Sequence, residues 1–113
     1  MTMQEQLKEI IEQNRVILFM KGTPDFPQCG FSGRVVEILK SCGARFASVD
    51  VLADMEVREG IKRYANWPTV PQLFVNGEFV GGCDILCEMF ESGELQTLLG
   101  TVDSARATDN GNA

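Results

Sequence analysis

A mixed β-sheet covered by helices on both faces is the fold class this sequence predicts, and three features predict it. Val16-Ile17-Leu18-Phe19-Met20 is an unbroken apolar run of strand length, the pattern of a strand buried on both faces. Segments of helical apolar period flank it, so strand, crossover helix and second strand follow in series. Farther on, Gln72-Leu73-Phe74-Val75 and Glu78-Phe79-Val80 are joined by Asn76-Gly77, the dipeptide that closes two-residue hairpins. A parallel β-α-β unit followed by an antiparallel hairpin makes a mixed four-stranded sheet.

Each element has its own signal. Met3, Leu7, Ile10 and Ile11 form one apolar stripe, which predicts a helix over 3–13 that ends near Asn14. After the apolar strand, Gly22, Pro24 and Pro27 impose a loop. A second helix starts at Cys29, aligns Phe31, Val35, Ile38, Leu39 and Cys42, and stops at Gly43. Residues 45–51 alternate enough for a second strand. Asp54 is placed to cap a third helix whose inner face holds Val57, Ile61 and Tyr64. Residues 66–71 carry Pro68 and Pro71 and read as a loop before the hairpin, which ends at Gly81-Gly82. Asp84 is the natural N-cap of a fourth helix containing Ile85, Leu86, Met89 and Phe90, and Leu95, Leu98 and Leu99 sit on a short final one. The order α-β-α-β-α-β-β-α-α is the thioredoxin-like arrangement. Residues 1–100 make one domain, and 101–113 read as a polar, disordered tail.

Composition narrows the function. The chain has 113 residues, 44% hydrophobic and 23% charged, enough to bury roughly 60–70% of its unfolded surface without disulfide staples. Its net charge of −6 argues against a nucleic-acid partner, because neutralising phosphates needs a basic surface. No run approaches the length of a membrane helix, and the start lacks the basic and apolar regions of a signal peptide. The expectation is a cytoplasmic protein with reduced thiols. It has no histidine, so no Ser-His-Asp triad, Cys-His pair or His-ligated metal can be built from this chain. Chemistry falls to thiols, carboxylates, hydroxyls, lysine, arginine or backbone. The four cysteines, Cys29, Cys42, Cys83 and Cys87, match no common zinc spacing.

Cys29-Gly30-Phe31-Ser32 lies where a loop hands over to a helix. Free N–H groups and the positive end of the helix dipole stabilise a thiolate there, and Lys21 is near enough in sequence to add positive charge. A dithiol redox motif would place a second cysteine at position 32. Ser32 cannot form that disulfide, so any second sulfur must come from another molecule.

These four residues resemble the signature of the CGFS-type monothiol glutaredoxins. Met20-Lys21-Gly22-Thr23-Pro24 is similar to that family's lysine loop. Trp67-Pro68-Thr69-Val70-Pro71-Gln72 is similar to its cis-proline segment, and Gly81-Gly82-Cys83-Asp84 to its second glutathione-contact loop. The blocks fall in the family's order over residues 3 to 100, with the short, single-domain bacterial members the nearest in kind.

The resemblance implies a set of glutathione contacts. Lys21 would hold the glycyl carboxylate or the thiolate region, and Arg58 and Lys62 on the third helix would reach the glycine carboxylate. Read from the residues alone, Arg58 and Lys62 are a solvated helix face with Glu59 as neighbour. Val70 would pair its backbone with the glutathione cysteine, ahead of a cis peptide bond to Pro71. Several relatives carry phenylalanine at position 70. Cys83 would meet the γ-glutamyl end through backbone N–H, and the Asp84 carboxylate would meet the α-amino group. Cys87 lies outside the family pattern and is expected to pack as a small apolar residue, while Cys42 is expected to be buried and inert. Some relatives pair a thiol at position 42 with the active cysteine.

The resemblance also implies a labile [2Fe–2S] cluster. Four ligands are needed: Cys29 from each of two protomers and one thiolate from each of two glutathiones. The holo form is then a cluster-bridged homodimer that delivers its cluster to acceptor apoproteins, with BolA-type proteins as possible mixed partners. The rival reading is an enzyme, a glutathione-dependent disulfide oxidoreductase or deglutathionylase with Cys29 as nucleophile.

Overall fold

The computed structural model describes residues 1–100, and the expected tail, 101–113, lies outside them. Helix α1 spans Met3–Gln13. Its start is a capping box, absent from the sequence-based expectations: Thr2 Oγ1 accepts from the Glu5 N–H, and Glu5 Oε1 accepts from the Thr2 N–H. Strand β1 is Val16–Met20, buried at every position. Helix α2 is Gly30–Ser41, strand β2 Ala47–Asp50 and helix α3 Met55–Ala65. Strands β3, Gln72–Val75, and β4, Glu78–Gly81, form the hairpin around Asn76-Gly77, both at positive φ. Helix α4 is Cys83–Ser92, and α5 covers 94–100.

The sheet order is β2-β1-β3-β4. β1 pairs parallel with β2 and antiparallel with β3, and β3 pairs antiparallel with β4. The mixed sheet follows from the chain order, since β2 is reached through crossover helix α2 and β4 through a two-residue turn.

Alternation along β1 sorts the core into two layers. Val16, Leu18 and Met20 point to one face and pack with Val35 and Leu39 of α2, Leu86 of α4, and Leu95 and Leu99 of α5. Ile17 and Phe19 point to the other face, with Leu7 and Ile11 of α1 and Ile61 of α3. Side chains on a strand alternate between faces, so one apolar run serves both layers. Phe19 and Phe74 meet edge-on, centroids 5.7 Å apart, a contact worth about 0.5–1.5 kcal/mol beyond its area.

Two expectations shift. The second strand is shorter than 45–51: it runs Ala47–Asp50, and Val51 just beyond it still donates its N–H to the Met20 carbonyl at 2.8 Å. Asp84 is not an N-cap: α4 begins two residues earlier, with Gly82 as cap and its carbonyl accepting from the Leu86 N–H. Glycine is a tolerated cap, and Asp84 instead occupies the first turn, where a carboxylate complements the helix dipole. Among the described residues no helix is long and apolar enough to cross a membrane.

Candidate functional site

The loop after β1 is wound tightly and tied down at both ends. Gly22 has φ +88°, and a Cβ there would lie 2.5 Å from the Phe26 carbonyl oxygen, so only glycine fits without moving the loop. The Gly22 N–H donates to Asp50 Oδ1 at 2.9 Å, and the Gln28 N–H to the Lys21 carbonyl at 2.9 Å. The loop is therefore anchored to the end of β2 and delivers Cys29 in a fixed pose.

Cys29 is the N-cap of α2, in extended conformation, and its carbonyl accepts the first helical bond from the Gly33 N–H. As a neutral thiol it makes no cap hydrogen bond. Its pKa is lowered, above all by the Ser32 backbone N–H, with the Phe31 N–H, the Lys21 charge and the Ser32 hydroxyl adding to it against a desolvation cost. The open N–H groups of a helix start reward the thiolate and not the thiol.

Ser32 does more than decline a disulfide. It is fully buried, and its Oγ accepts from the Lys21 N–H at 3.0 Å. The residue that makes the motif monothiol thus also locks the lysine loop to the helix. Its sequence signal was a small polar residue on the first turn of a helix, which marks burial only once the loop is known to pack there.

Next to Cys29 runs a groove of about 200 Å³ lined by Phe31, Trp67, Thr69, Val70, Pro71, Gly82, Cys83, Asp84 and Ile85. The Val70–Pro71 peptide bond is cis. Cys29 itself lines an adjoining open depression with Pro27, Gln28, Gly30, Gly33, Arg34 and Glu37, and Phe31, two residues on, belongs to the groove. The structure thus gathers Val70, Cys83 and Asp84 on the groove walls, with Cys29 and Lys21 on the loop beside them. Lys62 lies in a neighbouring depression that shares Trp67 with the groove, and it pairs with Glu59 at 3.1 Å. Arg58 is half-buried, lies outside the groove lining, and its Nε is buried without a hydrogen-bond partner.

Sequence reasoning assigned no individual role to three residues that line or support the groove. Phe31 is 62% exposed although its spacing assigned it to the apolar face of α2. Gly82 lets the start of α4 close on the groove, since a Cβ there would sit 3.2 Å from Trp67 Nε1 and 3.3 Å from the Pro71 carbonyl oxygen. Gln72 is fully buried beneath the groove, its Nε2 donating to the Thr69 carbonyl at 3.0 Å and the Trp67 carbonyl at 3.2 Å. It shapes the segment that carries Val70. A lone amide at the head of an otherwise apolar strand is the signal that finds it.

The other thiols differ from Cys29. Cys42 is half-buried against the core, and desolvation raises its pKa. Cys83 is pushed up to about 11, first by desolvation and then by Cys87 beside it. Cys87 is half-buried against the same core layer.

Comparison with known proteins agrees with this geometry. The glutaredoxin family profile matches residues 16–80. A monothiol glutaredoxin of Synechocystis sp. is 55% identical over 94 residues, 83% of this chain and 88% of that protein. Glutaredoxin 4 of Pasteurella multocida is 53% identical over 98 residues, 87% and 90% of the two chains. Reduced apo GrxS14 of poplar superposes with a TM-score of 0.76 at 50% identity, covering 94% of each chain. With one thiol at the loop-helix junction, a serine three residues on and relatives of this kind, the chain belongs to the glutaredoxin family, in its CGFS-type monothiol branch.

Proposed function

We propose that this chain binds glutathione in the groove beside Cys29 and, as a pair of protomers, carries a [2Fe–2S] cluster to acceptor apoproteins in the cytoplasm. The observation that carries the reading is Cys29 itself: a thiol with lowered pKa at a helix start, with a buried hydroxyl where a resolving thiol would stand. Among the described residues no three metal-ligating side chains converge. A four-ligand cluster on this surface therefore draws on a second protomer and on external thiolates. Glutathione suits both the groove and the count. It is an extended peptide with a thiol, an ammonium group and two carboxylates. Val70 offers backbone for strand-like pairing, the first turn of α4 offers N–H groups to a carboxylate, and Asp84 offers a carboxylate to the ammonium. Lys21, with Lys62 farther along, supplies cationic charge that an acidic protein otherwise lacks, and Arg58 is the weakest member of the set. Because half the ligands are not covalently attached to the protein, the cluster exchanges readily, which suits a carrier. BolA-type proteins are the proposed mixed partners.

The same thiolate is a competent nucleophile. Attack of the Cys29 sulfur on the glutathionyl sulfur of a mixed disulfide expels the substrate thiolate. A second glutathione then releases glutathione disulfide and restores Cys29. One experiment ranks the two activities. Anaerobic reconstitution with iron, sulfide and glutathione is expected to give a coloured dimer that bleaches with Cys29→Ser or without glutathione. A cluster fully retained by Cys29→Ser defeats the ligand assignment. A colourless monomer that briskly reduces disulfides with glutathione puts the enzymatic reading first.

A further inference from the structure

Cys87 takes no part in the glutathione groove, yet it is not an isolated packing residue. It lies four residues after Cys83 on α4, so the two side chains share one face of the helix. Both are half-buried, and both pack against the core layer formed by α2, α4 and α5. Cys87 lies close enough to Cys83 to act on its ionisation. We infer that Cys83 and Cys87 form a two-coordinate site for a soft monovalent cation, copper(I), separate from the work of Cys29.

Three observations select this ligand. The first is the count of donors. Among the described residues no third cysteine or carboxylate converges on the pair. Two sulfurs leave zinc, which wants four ligands, badly served, whereas thiolates are the donors that favour copper(I).

The second is spacing. Residues i and i+4 on a helix have Cβ atoms about 5–6 Å apart, while a disulfide needs roughly 3.5–4.5 Å. Joining the two sulfurs directly would unwind the first turn of α4. A cation between them needs a sulfur-to-sulfur span of about twice a metal–thiolate bond of ~2.3 Å, which is closer to the i, i+4 spacing of a helix than a disulfide is.

The third is charge. Binding converts two thiols and one copper(I) into a bis-thiolate complex of net charge −1, with two protons released to solvent. Cys83 is the first helical residue of α4, at the positive end of its dipole. The Arg34 guanidinium also acts on Cys83 favourably for its thiolate, against the opposing charge of Asp84. Partial burial then shields the complex from water and from oxidants.

Cys29 is itself a soft ligand, so the test is made on the full chain carrying Cys29→Ser. Copper(I), kept reduced and anaerobic, is titrated in competition with a chromophoric copper(I) chelator. One copper per monomer is expected, with X-ray absorption showing two sulfur neighbours and gel filtration showing no dimer. Adding Cys83→Ser or Cys87→Ser is expected to weaken binding by more than about 100-fold, beyond the loss of an outer-sphere contact, while Cys42→Ser leaves it unchanged. Should either serine variant fail to fold by circular dichroism, alkylation mapping on the chain with Cys83 and Cys87 intact decides: copper should protect Cys83 and Cys87 together and leave Cys42 open. Unweakened binding in a folded Cys87→Ser variant, three or more sulfur neighbours, a copper-bridged dimer, or protection of Cys83 without Cys87 overturns the site. None of these readouts depends on glutathione or on an iron–sulfur cluster.

Discussion

Two helices of this molecule begin with a cysteine, and the two thiols titrate in opposite directions. Cys29 precedes α2 as its N-cap, and its pKa is lowered. Cys83 is the first residue inside α4, and its pKa is pushed up to about 11. Both stand in the field of a helix dipole, so the dipole alone does not decide. An N-cap side chain can reach back to the N–H groups of the second and third helical residues, here Phe31 and Ser32. A residue one step inside the helix loses that geometry. Cys83 instead packs on the core beside another thiol, where desolvation outweighs the helix. A single position along the chain separates a reactive sulfur from a quiet one.

Three measurements can break or sharpen that contrast. The largest effect should appear in alkylation. At pH 7, Cys83 carries at least about a hundredfold less thiolate than an unperturbed thiol. Its burial slows it further, and the softer nucleophilicity of a low-pKa thiolate trims the gap. Iodoacetamide labelling followed by mass spectrometry should therefore show Cys29 reacting about a hundredfold faster than Cys83. Comparable rates would erase the distinction.

Ser32→Ala comes next. It removes the acceptor of the Lys21 N–H inside a buried contact, at a cost of about 1–3 kcal/mol by urea denaturation. It also removes one of the groups that favour the Cys29 thiolate, so the pH midpoint of Cys29 alkylation should rise. The sign for stability follows from the lowered pKa. Ionisation of Cys29 stabilises the fold fully above the unfolded thiol pKa of about 8.5 and progressively less as pH falls through the folded value. A Ser32→Ala variant that kept both wild-type stability and the wild-type midpoint would remove Ser32 from the account.

Lys21→Gln should matter least. Lys21 contributes to the Cys29 shift less than the Ser32 and Phe31 N–H groups do, and it is only partly buried. The expected fall in Cys29 alkylation rate at physiological salt is within about fivefold, as for other screened charge pairs. A larger fall would mean that charge, and not helix geometry, sets the thiolate.

The element order was legible because apolar period and turn dipeptides are local signals. β1 announced itself by an unbroken run, and the hairpin by Asn76-Gly77. Cys29 was legible for the same reason, at the junction of a proline-bearing loop and a helix. What escaped depends on contacts between distant segments. Asp84 looked like a cap because it is the nearest capping residue to the apolar stripe, yet Gly82 takes the role where the chain must pass close to Trp67 and Pro71. Ser32 showed only the thiol it lacks, because its bond to the Lys21 N–H spans a loop whose path no local pattern reveals. Phe31 followed helical spacing but sits on the first turn, before the layer that would cover it. Glu59 as the neighbour of Lys62 was readable, being three residues away on one helix.

The buried hydroxyl of Ser32 carries one more consequence. A codon change to cysteine would appear to turn this monothiol site into a dithiol one in a single step. At full burial, however, a bulkier sulfur, a weak acceptor, would replace the oxygen that receives the Lys21 N–H. The loop that presents Cys29 would lose its tie at the moment a resolving thiol arrived. Chemistry by one sulfur is thus favoured by the packing around position 32 as well as by the motif.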